Sequence, residues 1–161
     1  MEYPNLPYLF DEGVKLTETL AIMQYIAKKW KPELLGRNAA EVGRIHMLEY
    51  HVFMLKSTCT MPCYSDNPDK DAILCSSKPI LESIYTHTCN SPYLVGENIT
   101  YLDFMYHELI EVLAWMSNNT FLDDFPNLRD YCQRMIAHYP EHWQENLQLQ
   151  INGPSAKINN F

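Results

Sequence analysis

The sequence predicts a mainly α-helical protein in which a β-hairpin and one helix precede an all-helical bundle. Three observations lead there. Apolar residues recur at helical spacing through most of the chain after residue 38, whereas the N-terminal stretch holds short apolar runs about a turn. Capping residues, asparagines and prolines punctuate the periodic stretches where helices would start and stop. The 161 residues, 47% apolar and 20% charged, suffice for one buried core.

At the N-terminus, Tyr8-Leu9-Phe10 and Val14-Lys15-Leu16 flank Asp11-Glu12-Gly13, the pattern of a small hairpin. Thr17 is the expected N-cap of the first helix, whose apolar face is Leu20, Ile22, Met23 and Ile26. That helix should stop near Trp30-Lys31-Pro32, because proline disfavours helical geometry in the residue before it. A hairpin with one helix buries too little to stand alone, so it either docks on the helical remainder of the chain or is the tail of a larger α/β module.

After the connection Leu34-Leu35-Gly36-Arg37-Asn38, a helix is expected from Ala39 to about Thr60. Val42, Ile45, Met47, Leu48, Val52, Phe53 and Leu55 form its expected apolar face. A break at Met61-Pro62 and the polar Ser65-Asp66-Asn67-Pro68-Asp69 lead to a helix near Asp71–Thr88. The next helix, Thr100 to about Met116, has the sharpest local signal. Thr100 and Asp103 make a capping box, and Ile99 with Phe104 are spaced for the hydrophobic staple. Ser117-Asn118-Asn119 ends it; Phe125-Pro126 opens a helix to about His138, and Pro140 starts a last one toward Gln150. Residues 151–161 read as irregular.

Composition excludes several classes of function. Twelve Lys and Arg against twenty Asp and Glu give a charge of −8, without the cationic face that phosphate contacts need. The anionic cytoplasmic leaflet would repel such a chain, and no apolar run is long enough to span a bilayer. Neither nucleic acid nor membrane is an expected partner. The start Met1-Glu2-Tyr3-Pro4 lacks the basic and apolar regions of a signal peptide. Five cysteines without framework spacing point to free thiols in the cytoplasm, which makes the sequons at Asn98 and Asn118 coincidental.

Three blocks carry a family likeness. The first is Asn5-Leu6-Pro7-Tyr8-Leu9 with Lys15-Leu16-Thr17-Glu18-Thr19, Ala21-Ile22 and Tyr25-Ile26-Ala27. The second runs from Tyr93-Leu94-Val95-Gly96 through Asp103-Phe104, and the third is Leu122-Asp123-Asp124-Phe125-Pro126-Asn127-Leu128. In this order and register they resemble a glutathione S-transferase, closest to the mu class, over nearly the whole chain. The resemblance implies a truncated thioredoxin-like, glutathione-binding remnant at 1–31, a helical C-terminal domain at 38–150 and a tail at 151–161. It implies conjugation of glutathione to hydrophobic electrophiles, in glutathione metabolism and detoxification, with glutathione as co-substrate and no metal or other cofactor.

The resemblance also assigns residues. Leu6, between Asn5 and Pro7, would precede a cis peptide bond and pair its backbone with the cysteinyl part of glutathione. Thr19 would hold the γ-glutamyl carboxylate at a helix start, where unpaired N–H groups favour an anion. Glu18 would face the glutathione amino group; alternatively it only complements the helix dipole. Tyr64, in Cys63-Tyr64-Ser65, would line the second-substrate site and donate a hydrogen bond as the adduct forms; alternatively it only packs at a helix end.

Two departures from the mu pattern matter. The family's catalytic Tyr, which stabilises the glutathione thiolate, lies on a first strand ahead of the segment that matches here, and Tyr3 is not its counterpart. No catalytic residue is therefore assigned. Met54 stands where the mu pattern has an Asp that reaches glutathione across the dimer. The alternative function is a non-catalytic, transferase-like binding or structural subunit, as a homodimer or docked to another protein through an unpaired sheet edge. Other motifs carry less. Cys59 and Cys63 lack a second ligand pair, and His107-Glu108-Leu109-Ile110-Glu111 begins like a zinc-protease helix but ends in Glu, as an exposed helix face would. His138 and His142 straddle Pro140, and Trp115, Met105 and Met116 fit core packing.

Overall fold

Tyr8–Asp11 (β1) and Val14–Thr17 (β2) pair antiparallel in the computed structural model, which describes residues 2–138, with Tyr8 opposite Thr17 and Asp11 opposite Val14. Glu12 and Gly13 close the hairpin with φ of 44° and 90°, positive at both turn positions as a two-residue hairpin loop requires. Helix α1 (Thr19–Trp30) begins immediately after Glu18. The expected N-cap, Thr17, is instead the last residue of β2, because pairing with Tyr8 holds its backbone extended. Its hydroxyl donates to the Tyr3 carbonyl at 2.8 Å, and Glu18 takes the cap position.

Asp11 anchors the hairpin on α1. It accepts from Lys29 Nζ at 2.5 Å and from the Tyr25 hydroxyl at 2.8 Å. Those hydrogen bonds, the Lys29 one foremost, hold its carboxyl below the usual range. A short 3₁₀ turn, Pro32–Leu35, then leads to Gly36. At φ 96° and ψ 146°, Gly36 occupies a region open essentially to glycine alone, and a Cβ there would meet Val42 N at 3.0 Å.

Helix α2 (Ala39–Thr60) is capped by Asn38, whose Oδ1 accepts from the N–H groups of Ala40 and Glu41 at 3.0 Å each. Ile45, Leu48, Val52, Leu55 and Cys59 make its buried stripe at alternating three- and four-residue steps. Met47 and Phe53, expected in that stripe, are 61% and 50% exposed. They lie off the stripe because α2 packs through one face only.

Helices α3 (Lys70–Thr88), α4 (Tyr101–Met116) and α5 (Pro126–Ala137) complete the described bundle. Twelve of the sixteen residues of α4 are buried, which makes it the central helix, surrounded by the others. Consequently His107 is buried at 2% exposure and not on an exposed face, contrary to the sequence expectation.

The start of α4 is fixed by Asp103, itself fully buried. Oδ2 accepts from the Thr100 N–H and hydroxyl, both at 2.7 Å, and Oδ1 from the Leu94 N–H and the Tyr131 hydroxyl, both at 2.9 Å. Burial pushes this carboxyl above the usual range, against the pull of those hydrogen bonds. Ile99 and Phe104, the expected staple pair, both pack against the main core. The helix expected from Pro140 toward Gln150 and the tail at 151–161 lie outside the described residues. Among the described residues, no helix is long and apolar enough to cross a membrane.

Candidate functional site

The backbone between the hairpin and α1 is held in an unusual shape. Glu18 has φ 71° and ψ 121°, an uncommon region for a residue with a side chain, and its carboxylate makes no cap bond to the helix. Instead, Glu18 Oε1 accepts from Asn5 Nδ2 at 2.9 Å, and Asn5 Oδ1 accepts from the Leu6 N–H at 2.9 Å. The Leu6–Pro7 peptide bond is cis, in line with the family resemblance. Leu6 itself is 77% exposed. The first-turn N–H groups of α1 are left without a side-chain cap, facing the same region as Glu18.

These residues share a cavity of about 270 Å³. Asn5, Leu6, Glu18 and Thr19 line one wall, while Phe53, Lys56, Ser57 and Thr60 of α2 and the adjoining Met61 line the other. Sequence reasoning misses the wall from α2, although its residues obey a legible rule: they fall at i, i+3, i+4, i+7 and i+8, one face of a helix. The cavity carries a carboxylate, one ammonium group and a helix N-terminus, so it offers complementary charges to a zwitterionic, carboxylate-bearing ligand. A larger hollow of about 1020 Å³ lies on the hairpin side, lined by Tyr3, Gly13, Lys15 and Thr17 and also by Glu18, which borders both.

Tyr64 is not part of this wall. It ends the 3₁₀ turn Met61–Tyr64 at 39% exposure, where burial pushes its hydroxyl pKa up, and Met61 faces the cavity in its place. Met54 is likewise absent from the cavity lining. Neither thiol of the pair Cys59 and Cys63 is acidic: burial pushes Cys59 up to about 11 and raises Cys63. Their sulfurs hydrogen-bond to the Ser77 hydroxyl and to the Cys59 carbonyl respectively.

A second polar cluster links α1 and α2, which carry the two walls, to α4. Gln24 Nε2 of α1 donates to Glu49 Oε1 of α2 at 2.6 Å and to the Tyr101 hydroxyl at 3.1 Å, and that hydroxyl donates to Glu49 in turn. Burial and the Glu49 carboxylate keep the Tyr101 hydroxyl protonated. Three helices are tied at one carboxylate.

Comparison with known proteins accounts for both parts of the chain. The family model described as the glutathione S-transferase N-terminal domain matches residues 1–28, and that of the C-terminal domain matches residues 56–139. The glutathione S-transferase of Tyrophagus putrescentiae is 32% identical over 166 residues, covering 99% of this chain and 73% of that one. The class-mu 26 kDa isozyme of Schistosoma japonicum is 34% identical over 139 residues, covering 85% and 62% respectively. Among solved structures, the glutathione S-transferase Blo t 8 superposes with a TM-score of 0.78 at 22% identity, covering 98% of this chain and 77% of that chain.

Proposed function

The chain belongs to the glutathione S-transferase family, and from that premise we propose that it binds glutathione in the cavity where α1 begins. The observation that carries this reading is the convergence of Asn5, Leu6, Glu18 and Thr19 on one cavity closed by Lys56 of α2. In it, the backbone of Leu6, held beside Pro7, pairs with the cysteinyl portion of the tripeptide. Thr19 and the first-turn N–H groups take the γ-glutamyl carboxylate, and the Glu18 carboxylate takes the amino group. The family reaction adds the glutathione sulfur to hydrophobic electrophiles, and Tyr64 serves the electrophile from outside the glutathione cavity. The reading assigns no thiol-activating residue to this chain. A thiol of ordinary pKa, about 8.5, is mostly protonated at neutral pH. Rapid conjugation of glutathione bound here therefore needs a thiol-activating group beyond the residues assigned above. The free cysteines fit a reducing, cytoplasmic setting.

Calorimetric titration of the chain tests this. S-methylglutathione is expected to bind as well as glutathione, because the contacts are to the backbone and the γ-glutamyl end. Glu18→Ala should weaken both about tenfold or more by removing the acceptor that faces the amino group. Equal affinity of Glu18→Ala and the parent chain would sink the assignment.

A second reading, a non-catalytic homodimer, is favoured by the outward face of α2. Met47 and Tyr50 are 61% and 67% exposed there, beside Phe53 and Met54. Sedimentation of Tyr50→Asp should show self-association weakened by about tenfold or more relative to the parent; a monomeric parent would end this reading.

A further inference from the structure

The α4–α5 contact holds a cluster that the glutathione site does not use. His107 and Glu111 stand one turn apart on the same face of α4, with His107 Nε2 and Glu111 Oε1 3.6 Å apart. Cys132 of α5 faces them. One potential ligand atom from each of the three residues lies within 4.8 Å of the other two. The histidine and the cysteine are buried, at 2% and 7% exposure, while the Glu111 side chain is 27% exposed and opens the cluster to solvent on its own side.

We propose that His107, Glu111 and Cys132 form a three-ligand site for a zinc-class divalent cation that clamps α5 to α4. The donor set decides the class of metal. Imidazole nitrogen and thiolate sulfur suit borderline-soft ions such as zinc and cobalt, whereas calcium and magnesium take oxygen alone. At ligand distances of about 2.0 to 2.3 Å, the donors of a tetrahedral zinc site stand roughly 3.3 to 3.8 Å apart. The cluster needs only a small inward adjustment of side chains to reach that spacing. Glutamate and thiolate would supply two negative charges to balance the cation, and the partly exposed Glu111 would let water reach the ion to complete the shell.

Binding forms a sulfur–metal bond as the Cys132 S–H bond breaks, and the proton leaves to solvent. Burial and the Glu111 carboxylate together push the free Cys132 thiol up to about 12. A cation among the three ligands reverses that balance by supplying the positive charge the carboxylate and sulfur lack. The i, i+4 pair on α4 fixes two ligands on one rigid turn, so only the third depends on how the helices pack.

The test is cobalt(II) titration of the full chain after chelator treatment. The expected result is one equivalent bound, with a thiolate-to-cobalt charge-transfer band in the near ultraviolet that zinc bleaches. Cys132→Ser should abolish the band, and Cys75→Ser, at an exposed position, should leave it intact. Glu111→Gln, partly exposed and so safe for folding, should weaken cobalt binding about 100-fold. It decides the matter should Cys132→Ser fail to fold by circular dichroism. No charge-transfer band in the parent, a band that survives in Cys132→Ser, or undiminished affinity in Glu111→Gln would each overturn the proposal.

Discussion

Asp103→Ala should cost about 4 kcal/mol of stability, because it strips acceptors from several buried donors at once. The carboxylate is fully buried and is shared by the Thr100 N–H and hydroxyl, the Leu94 N–H and the Tyr131 hydroxyl. Each donor left unpaired in the interior costs roughly 1 to 3 kcal/mol, and relaxation or water entry recovers part of the sum. Asp103→Asn should cost about half as much, since one oxygen survives while the amide NH₂ must face a donor. Urea denaturation monitored by circular dichroism measures both. A loss under about 1 kcal/mol for the alanine variant would mean the start of α4 is held by packing alone.

Leu113→Ala is the second large effect, expected at about 3 kcal/mol, the range for emptying a well-packed leucine site. Leu113 has no solvent exposure and lies within the main core of packed side chains, so the cavity has few ways to collapse. Cys75→Ala is the control. At an exposed position of α3, it should change stability by no more than about 0.5 kcal/mol. Comparable losses from the two variants would contradict the central place of α4.

How far the sequence can be read depends on which features are local. The α4 capping box is such a feature: Thr100 and Asp103 lie within one turn, and the structure places them in the expected roles, with Thr100 at the N-cap. The limits of α2 are legible for the same reason, Asn38 at one end and Met61-Pro62 at the other. Non-local facts are not legible. Thr17 is a good N-cap by type, yet its strand partner Tyr8 holds it extended. Met47, Phe53 and His107 share one cause: apolar spacing alone does not say on how many sides a helix is covered, and α2 is covered on one side while α4 is covered on nearly all. At the candidate site, Asn5, Leu6, Glu18 and Thr19 come from a compact motif. Lys56 and Met61 reach the cavity only because α1 and α2 both pack on α4, with the Gln24–Glu49–Tyr101 cluster linking the three helices across distant segments.

Gly36 has a consequence for how the chain tolerates variation. Its backbone shape strains any residue with a Cβ, and the Val42 amide, 3.0 Å from a would-be Cβ, would have to give by a few tenths of an ångström. A Cβ on Gly43, inside α2, would meet nothing within 4 Å, so alanine there would raise helix propensity by about 1 kcal/mol without a clash. In a saturation library of this gene, then, codon 36 would be enriched in glycine while codon 43 drifted freely. Two glycines seven residues apart would record, in their tolerance alone, where the N-terminal piece is hinged to the bundle and where the bundle has surface to spare.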